Sequence, residues 1–150
     1  MKENSVKLYV IRHGETDWNC RRKLQGESDI LLNENGRRLA EITRENMGTI
    51  PFDLVITSPY QRARETAQII TGNADIPCIQ DARIREITWG DWDGLTPKEI
   101  AEARGKERFE QFYTDPFSFQ GAPGGENIWQ VCERGKAFYQ ELIRNEVFQD

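Results

Sequence analysis

The sequence predicts an α/β fold, a parallel sheet with helices on its faces. Two β-rich apolar runs, at 6–11 and 53–57, are each followed by amphipathic helical periodicity. The resulting order of strand, helix, strand, helix implies a parallel pair joined by a right-handed crossover.

"VKLYVI" at 6–11 is nearly continuous in apolar character, as in a strand covered on both faces. After a polar loop, Asn33 is placed to cap a helix running to about Met47, with Leu39, Ala40, Thr43 and Met47 at core-facing spacing. "DLVIT" at 53–57 is the next strand and runs into "SPYQRARETAQII". There Ser58 reads as an N-cap, Pro59 as the first helical residue and Gln61 as the far side of a capping box. Ala63, Thr66, Ala67 and Ile70 share one face of this helix, and Gly72 stops it. "PCIQD" at 77–81 is a short strand, and "REITWGDWDG" at 85–94 a turn-rich, aromatic-packed loop. Residues 95–114 read as helical in pieces, with Phe109, Phe112 and Tyr113 on the apolar side. Residues 115–125, rich in Pro, Gly and Phe, read as loop. A last helix at 127–144 aligns Ile128, Val131, Gly135, Phe138 and Leu142 in one stripe.

Composition narrows the function classes. At 150 residues, 37% hydrophobic and 30% charged, the chain is expected to form one domain that buries roughly 68–70% of its unfolded surface. No stretch reaches the roughly 18 apolar residues of a membrane span, and "MKENSVKLYV" has no apolar signal region, so a cytoplasmic location is expected. Cys20, Cys78 and Cys132 are odd in number and scattered, which fits reduced thiols. A net charge of −5 argues against a general nucleic-acid partner, while the local "RRK" at 21–23 can still attract a small anion.

In open α/β sheets ligands gather at the carboxyl ends of the strands. Arg12 and His13, the only histidine, follow the first run directly, and Arg62 sits one turn beyond the second, so all three can share one rim. Hydrolysis of a phosphate ester needs its charge held, a nucleophile in line and a proton for the departing alkoxide. Guanidinium groups suit the first task and a neutral imidazole the second. Glu15 and Glu86 are candidates for the third; an ordinary Glu, with pKa about 4.3, must be raised by burial or by negative charge nearby, which the phosphate itself can supply. Taken singly, His13 also reads as a turn residue and Arg62 as a solvated helix charge. There is no P-loop pattern, no Cys-x5-Arg thiolate cradle and no metal-ligand spacing, which leaves His13 as the best nucleophile.

Four motifs in order, "RHGETDWN" at 12–19, "SPYQRARETA" at 58–67, "REITWGDWDG" at 85–94 and "PGGEN" at 123–127, resemble the histidine phosphatase superfamily, the phosphoglycerate-mutase-like proteins. The resemblance implies a three-layer α/β/α sandwich with a mostly parallel central sheet. It also implies that His13 accepts the phosphoryl group, that Arg12 and Arg62 bind it, and that Glu86 acts as proton donor and then as base for water. Asn19, Gln25 and Gly26 match positions lining the substrate side; no metal or organic cofactor is expected, and the partner is a small phosphorylated substrate. Residues 95–122 would form a cap over a single domain spanning 1–150. "IREITWGDWDG" and "KLQGESDILLNENG" are similar to the phosphatases rather than the glycolytic mutases, with phosphoglycerate mutase as the alternative. Members of the family carry a second active-site histidine on a strand following the last helix, between the first two strands of the sheet. With one histidine here, the chain is expected to be the N-terminal part of a protein of about 200 residues. A non-catalytic phosphate-binding module without that histidine is the alternative of another class.

Overall fold

The computed structural model describes residues 6–72 and 75–144. Its elements run α1 (Asp17–Cys20), α2 (Glu34–Met47), β1 (Val55–Thr57), α3 (Gln61–Thr71), β2 (Cys78–Gln80), α4 (Pro97–Glu102), α5 (Lys106–Thr114) and α6 (Ile128–Ile143), with 3₁₀ turns at Ala82–Ile84 and Gly90–Trp92. Strands β1 and β2 are parallel, Val55 opposite Cys78, and α3 is the crossover between them. The architecture is the α/β class that the element order predicts.

One expected strand does not form. Residues 6–11 belong to no strand, and Val6, Leu8, Tyr9, Val10 and Ile11 are exposed, Val10 to 87%. Propensity makes a segment fit to pair but does not provide a partner, and among the described residues no strand lies alongside it. The resemblance puts the strand bearing the second histidine in that place. Tyr9 still meets Phe52 edge to face, with ring centroids 5.6 Å apart.

Helix α2 starts where its cap predicts, with the Asn33 side chain accepting from Gly36 N at 2.8 Å. Its inner face differs from the expected one: Gly36 and Ala40 are buried while Leu39 is exposed. The shift follows from backbone proximity, because Gly36 lies against Glu15 and Gly14 against Gly36. A Cβ on Gly36 would collide with the Glu15 carbonyl, and one on Gly14 would stand 2.8 Å from Gly36 O. Gly36→Ala is therefore expected to cost about 1–3 kcal/mol through overpacking, read as a lowered midpoint of urea unfolding. An unchanged midpoint would show that the segment around His13 is not seated on α2.

Helix α3 also begins later than predicted. Tyr60, not Ser58, is the N-cap, and it makes no side-chain cap bond. Ser58 Oγ instead accepts from Tyr60 N at 3.4 Å, and the Gln61 N–H is satisfied by Asp29 Oδ1 at 2.7 Å. A carboxylate from a distant loop thus replaces the local box. The buried face is Arg62, Thr66 and Ile70, and Gly72 closes the helix in the left-handed region at φ 71°.

The main core lies between the 87–92 loop and the helices after it, where Ile87, Trp89, Trp92, Ile100, Phe109, Phe119 and Ala122 are buried together. Trp89 meets Phe112 edge to face at 4.9 Å, and Phe112 meets Phe119 at 5.4 Å. Both α4 and α6 carry reciprocal capping boxes, Thr96 with Glu99 and Asn127 with Gln130. Ile128 and Val131 of α6 pack on the core and Leu142 is buried, as the stripe predicts.

Candidate active site

His13 lies in the loop that leads into α1. Its Nδ1 is 2.7 Å from Gly14 O, and a carbonyl only accepts, so Nδ1 carries the proton and Nε2 keeps its lone pair. Burial is the main cause that moves the imidazole below its ordinary pKa of 6.5. The bond to Gly14 O and the charge of Glu86 oppose this, and Arg62 and Arg12 reinforce it. Arg12, Arg62 and Glu86 are thus each within electrostatic reach of His13. The loop is pinned to α3 by Gly14 N, which donates to Thr66 Oγ1 at 2.9 Å, while Thr66 Oγ1 donates to Arg62 O at 2.6 Å.

Arg62 is 1% exposed. Its Nη1 donates to Ser28 O and its Nη2 to Gly26 O, both at 2.8 Å, and the guanidinium lies over the Tyr60 ring, 4.5 Å from its centroid. Two carbonyls and a ring leave the charge without a counter-ion, because no carboxylate among the described residues pairs with it. Desolvation accordingly pulls its pKa down, while Glu86, Tyr60, Asp29 and Asp93 act in the other direction from further off. A buried, unpaired cation is costly unless an anion completes it. Arg12 and Glu86, in contrast, are exposed.

The loop that Arg62 grips is held from the other side by Asp93, whose carboxylate accepts from Gly26 N at 2.7 Å and Ser28 N at 2.9 Å. Gly26 has to be glycine, since a Cβ there would come 2.8 Å from Ile87 O, beside Glu86. Thr16, fully buried, organises the other expected positions: Asn19 Oδ1 accepts from Thr16 N at 2.9 Å, and the Thr16 hydroxyl is 2.5 Å from Gln25 Oε1. Gln25 is 7% exposed, and its Nε2 is a buried donor with no partner among the described residues.

Glu15 is removed from the candidate acids. Asn33 and Asn35 donate to its carboxylate, each at 3.0 Å, and hold it below the ordinary Glu range, the wrong direction for a proton donor. Sequence reading missed the parts played by Thr16, Tyr60 and Asp93. The Asp-Gly pair at 93–94 reads only as a turn, and no local pattern says that its carboxylate reaches back 67 residues to Gly26.

The sequence pattern of the histidine phosphatase superfamily (branch 1) matches residues 8–149. Among curated relatives, the chain is 37% identical over 145 residues to a probable 2-carboxy-D-arabinitol-1-phosphatase of Arabidopsis thaliana, covering 96% of this chain and 30% of that one. It is 32% identical over 145 residues to a 2,3-bisphosphoglycerate-dependent phosphoglycerate mutase of Cytophaga hutchinsonii, covering 93% of this chain and 66% of that protein. Among solved structures, Bacillus stearothermophilus YhfR superposes with a TM-score of 0.82 at 37% identity, over 89% of this chain and 65% of that one. The chain thus spans no more than about two thirds of the length of these relatives. No helix among the described residues is long and apolar enough to cross a membrane.

Proposed function

The chain belongs to the histidine phosphatase superfamily, and from that membership we propose that it is built to hydrolyse phosphomonoesters of small metabolites through a phosphohistidine at His13. The observation that carries the reading is Arg62, a guanidinium buried with no counter-ion among the described residues and near enough to His13 for its charge to lower the imidazole's pKa, while Nε2 of that imidazole has no hydrogen-bond partner among the described residues. Such a pair is preorganised for an oxyanion and for attack on it.

In the first step Nε2 of His13 forms a bond to phosphorus as the ester P–O bond breaks, and Glu86 gives its proton to the departing alkoxide. In the second, Glu86 as carboxylate takes a proton from water, the water oxygen bonds to phosphorus, and the N–P bond breaks to release inorganic phosphate. Arg12 and Arg62 hold the non-bridging oxygens throughout. The unpartnered Gln25 Nε2 supports a donor on the ligand side, with Asn19 and Gly26 shaping the same wall. The chain is read as belonging to a single domain with a cap around 95–122, metal-independent, in the cytoplasm, where exposed Cys20, Cys78 and Cys132 stay reduced.

Release of phosphate from an aryl phosphate in the presence of a chelator tests the reading. Glu86→Gln is expected to slow alkyl phosphates, whose leaving groups need a proton, by on the order of 10² to 10⁴, and activated aryl phosphates far less. Equal slowing of both would take Glu86 out of the acid role. Saturable phosphate binding without any turnover would replace the enzyme with the binding module. The mutase relative supports a second reading, phosphoglycerate mutase, which transfer between phosphoglycerate positions faster than hydrolysis would establish.

A further inference from the structure

Glu86 lies in an irregular stretch between the two 3₁₀ turns, and among the described residues its exposed carboxylate is bonded only to the N–H of its own neighbour, Ile87, at 3.0 Å. Its direction therefore depends on the backbone that carries it. That backbone is held by a group from elsewhere. Arg134, in the middle of α6, donates through Nη1 to Arg83 O at 2.7 Å and Arg85 O at 2.8 Å, and through Nη2 to Glu86 O at 3.2 Å. Its remaining donors go to Glu126, Nε to Oε1 at 2.9 Å and Nη2 to Oε2 at 3.0 Å. All five N–H groups of the guanidinium are thus spent on the protein.

Glu126 completes the frame. Its Oε2 accepts from Thr88 N at 2.9 Å, its Oε1 from Arg85 Nη2 at 3.2 Å, and its own N–H donates to Thr88 O at 2.8 Å. Burial alone would raise the Glu126 carboxyl, but the bonds from Arg134 and Thr88 outweigh it and keep the group ionised. With side chains only 12% and 14% exposed, the pair binds backbone at 83, 85, 86 and 88, on both sides of the acid.

We propose that the Glu126–Arg134 pair is a positioning device for Glu86, holding that carboxylate at working distance from His13, an inference resting on the reading of Glu86 as the acid of the site. Neither residue of the pair has a donor or acceptor free for substrate in this frame, so both act through Glu86.

Because His13 is the only histidine, its imidazole C–H resonance is a single probe whose titration by NMR needs no turnover. The charged groups facing it are Arg12, Arg62 and Glu86. Loss of the Glu86 charge lowers the His13 midpoint, whereas deleting a cation at 134 by charge alone raises it, so the sign separates the two effects. Glu86→Gln is expected to lower the midpoint, and Arg134→Met to lower it by at least about half as much, with no further fall in the double variant. Arg134→Lys, which keeps the charge but not the fork, is expected to lower it by less, and it decides alone if Arg134→Met does not fold. An unchanged or raised midpoint in the folded Arg134 variants, with Glu86→Gln lowering it, overturns the positioning role and leaves the acid assignment standing. An unchanged midpoint in Glu86→Gln overturns both.

Discussion

His13→Ala is expected to abolish phosphate release, a loss on the order of 10⁴ to 10⁶ relative to the unsubstituted chain, because the proposed reading places the phosphoryl group on His13. The chain has no second imidazole, and Cys20, the cysteine nearest in sequence, has its thiol pushed up by desolvation and by the neighbouring Glu15. Single-turnover labelling with a radioactive aryl phosphate followed by acid treatment distinguishes the outcomes: an acid-labile phosphoryl group on the unsubstituted protein and none on the variant. Retained turnover would falsify the assignment of His13. The pH profile gives a second reading of the same residue. Its native pKa is depressed, so the neutral nucleophile persists below pH 6.5, and the acid limb of kcat/KM is expected below that value. For stability the sign is the same: between the native pKa and 6.5 the unfolded state binds the proton first, so stability falls as pH drops through that window. This part of the slope is expected to vanish in His13→Ala.

Arg62→Met is expected to separate function from stability. The substitution keeps the bulk of the side chain and removes both donors. Removing one preorganised donor to a reacting oxyanion costs on the order of 10² to 10³ in rate, and here the local positive charge is lost as well. Two opposing effects bear on stability. Gly26 O and Ser28 O lose their partners, at about 1–3 kcal/mol for each group left buried and unsatisfied. Against this, removal of a buried cation with no ion pair relieves a desolvation penalty of several kcal/mol. The net change in unfolding free energy is expected to lie within about 2 kcal/mol of zero, while turnover falls at least a hundredfold. Addition of inorganic phosphate should raise the melting temperature of the unsubstituted protein and leave that of the variant where it was. A variant retaining more than about a tenth of the original rate would show that Arg62 serves only the Gly26–Ser28 loop.

Much of the molecule is local, and the sequence alone determined that part. The Asn33 cap of α2, the Gly72 stop of α3 and the stripe of α6 follow from side chains and backbone within a few residues of one another. That Arg12, His13 and Arg62 share one rim is an expectation from strand ends in an α/β order; residues 6–11 form no strand, and the loop of His13 meets the helix of Arg62 through the Gly14 N–H bond to Thr66 Oγ1 instead. Tertiary structure alone decided the rest, because those features depend on groups far apart in the chain. Asp29 rather than Ser58 satisfies the start of α3, and Gly14 against Gly36 sets which face of α2 is buried. Residues 6–11 have the composition of a strand, yet a strand exists only where another backbone supplies the ladder. Composition assigns Arg62 to a helix surface; its burial beneath the 26–28 loop, with no carboxylate paired to it among the described residues, is what supports the proposal that it binds an anion, and that arrangement arises only when the distant segments pack together.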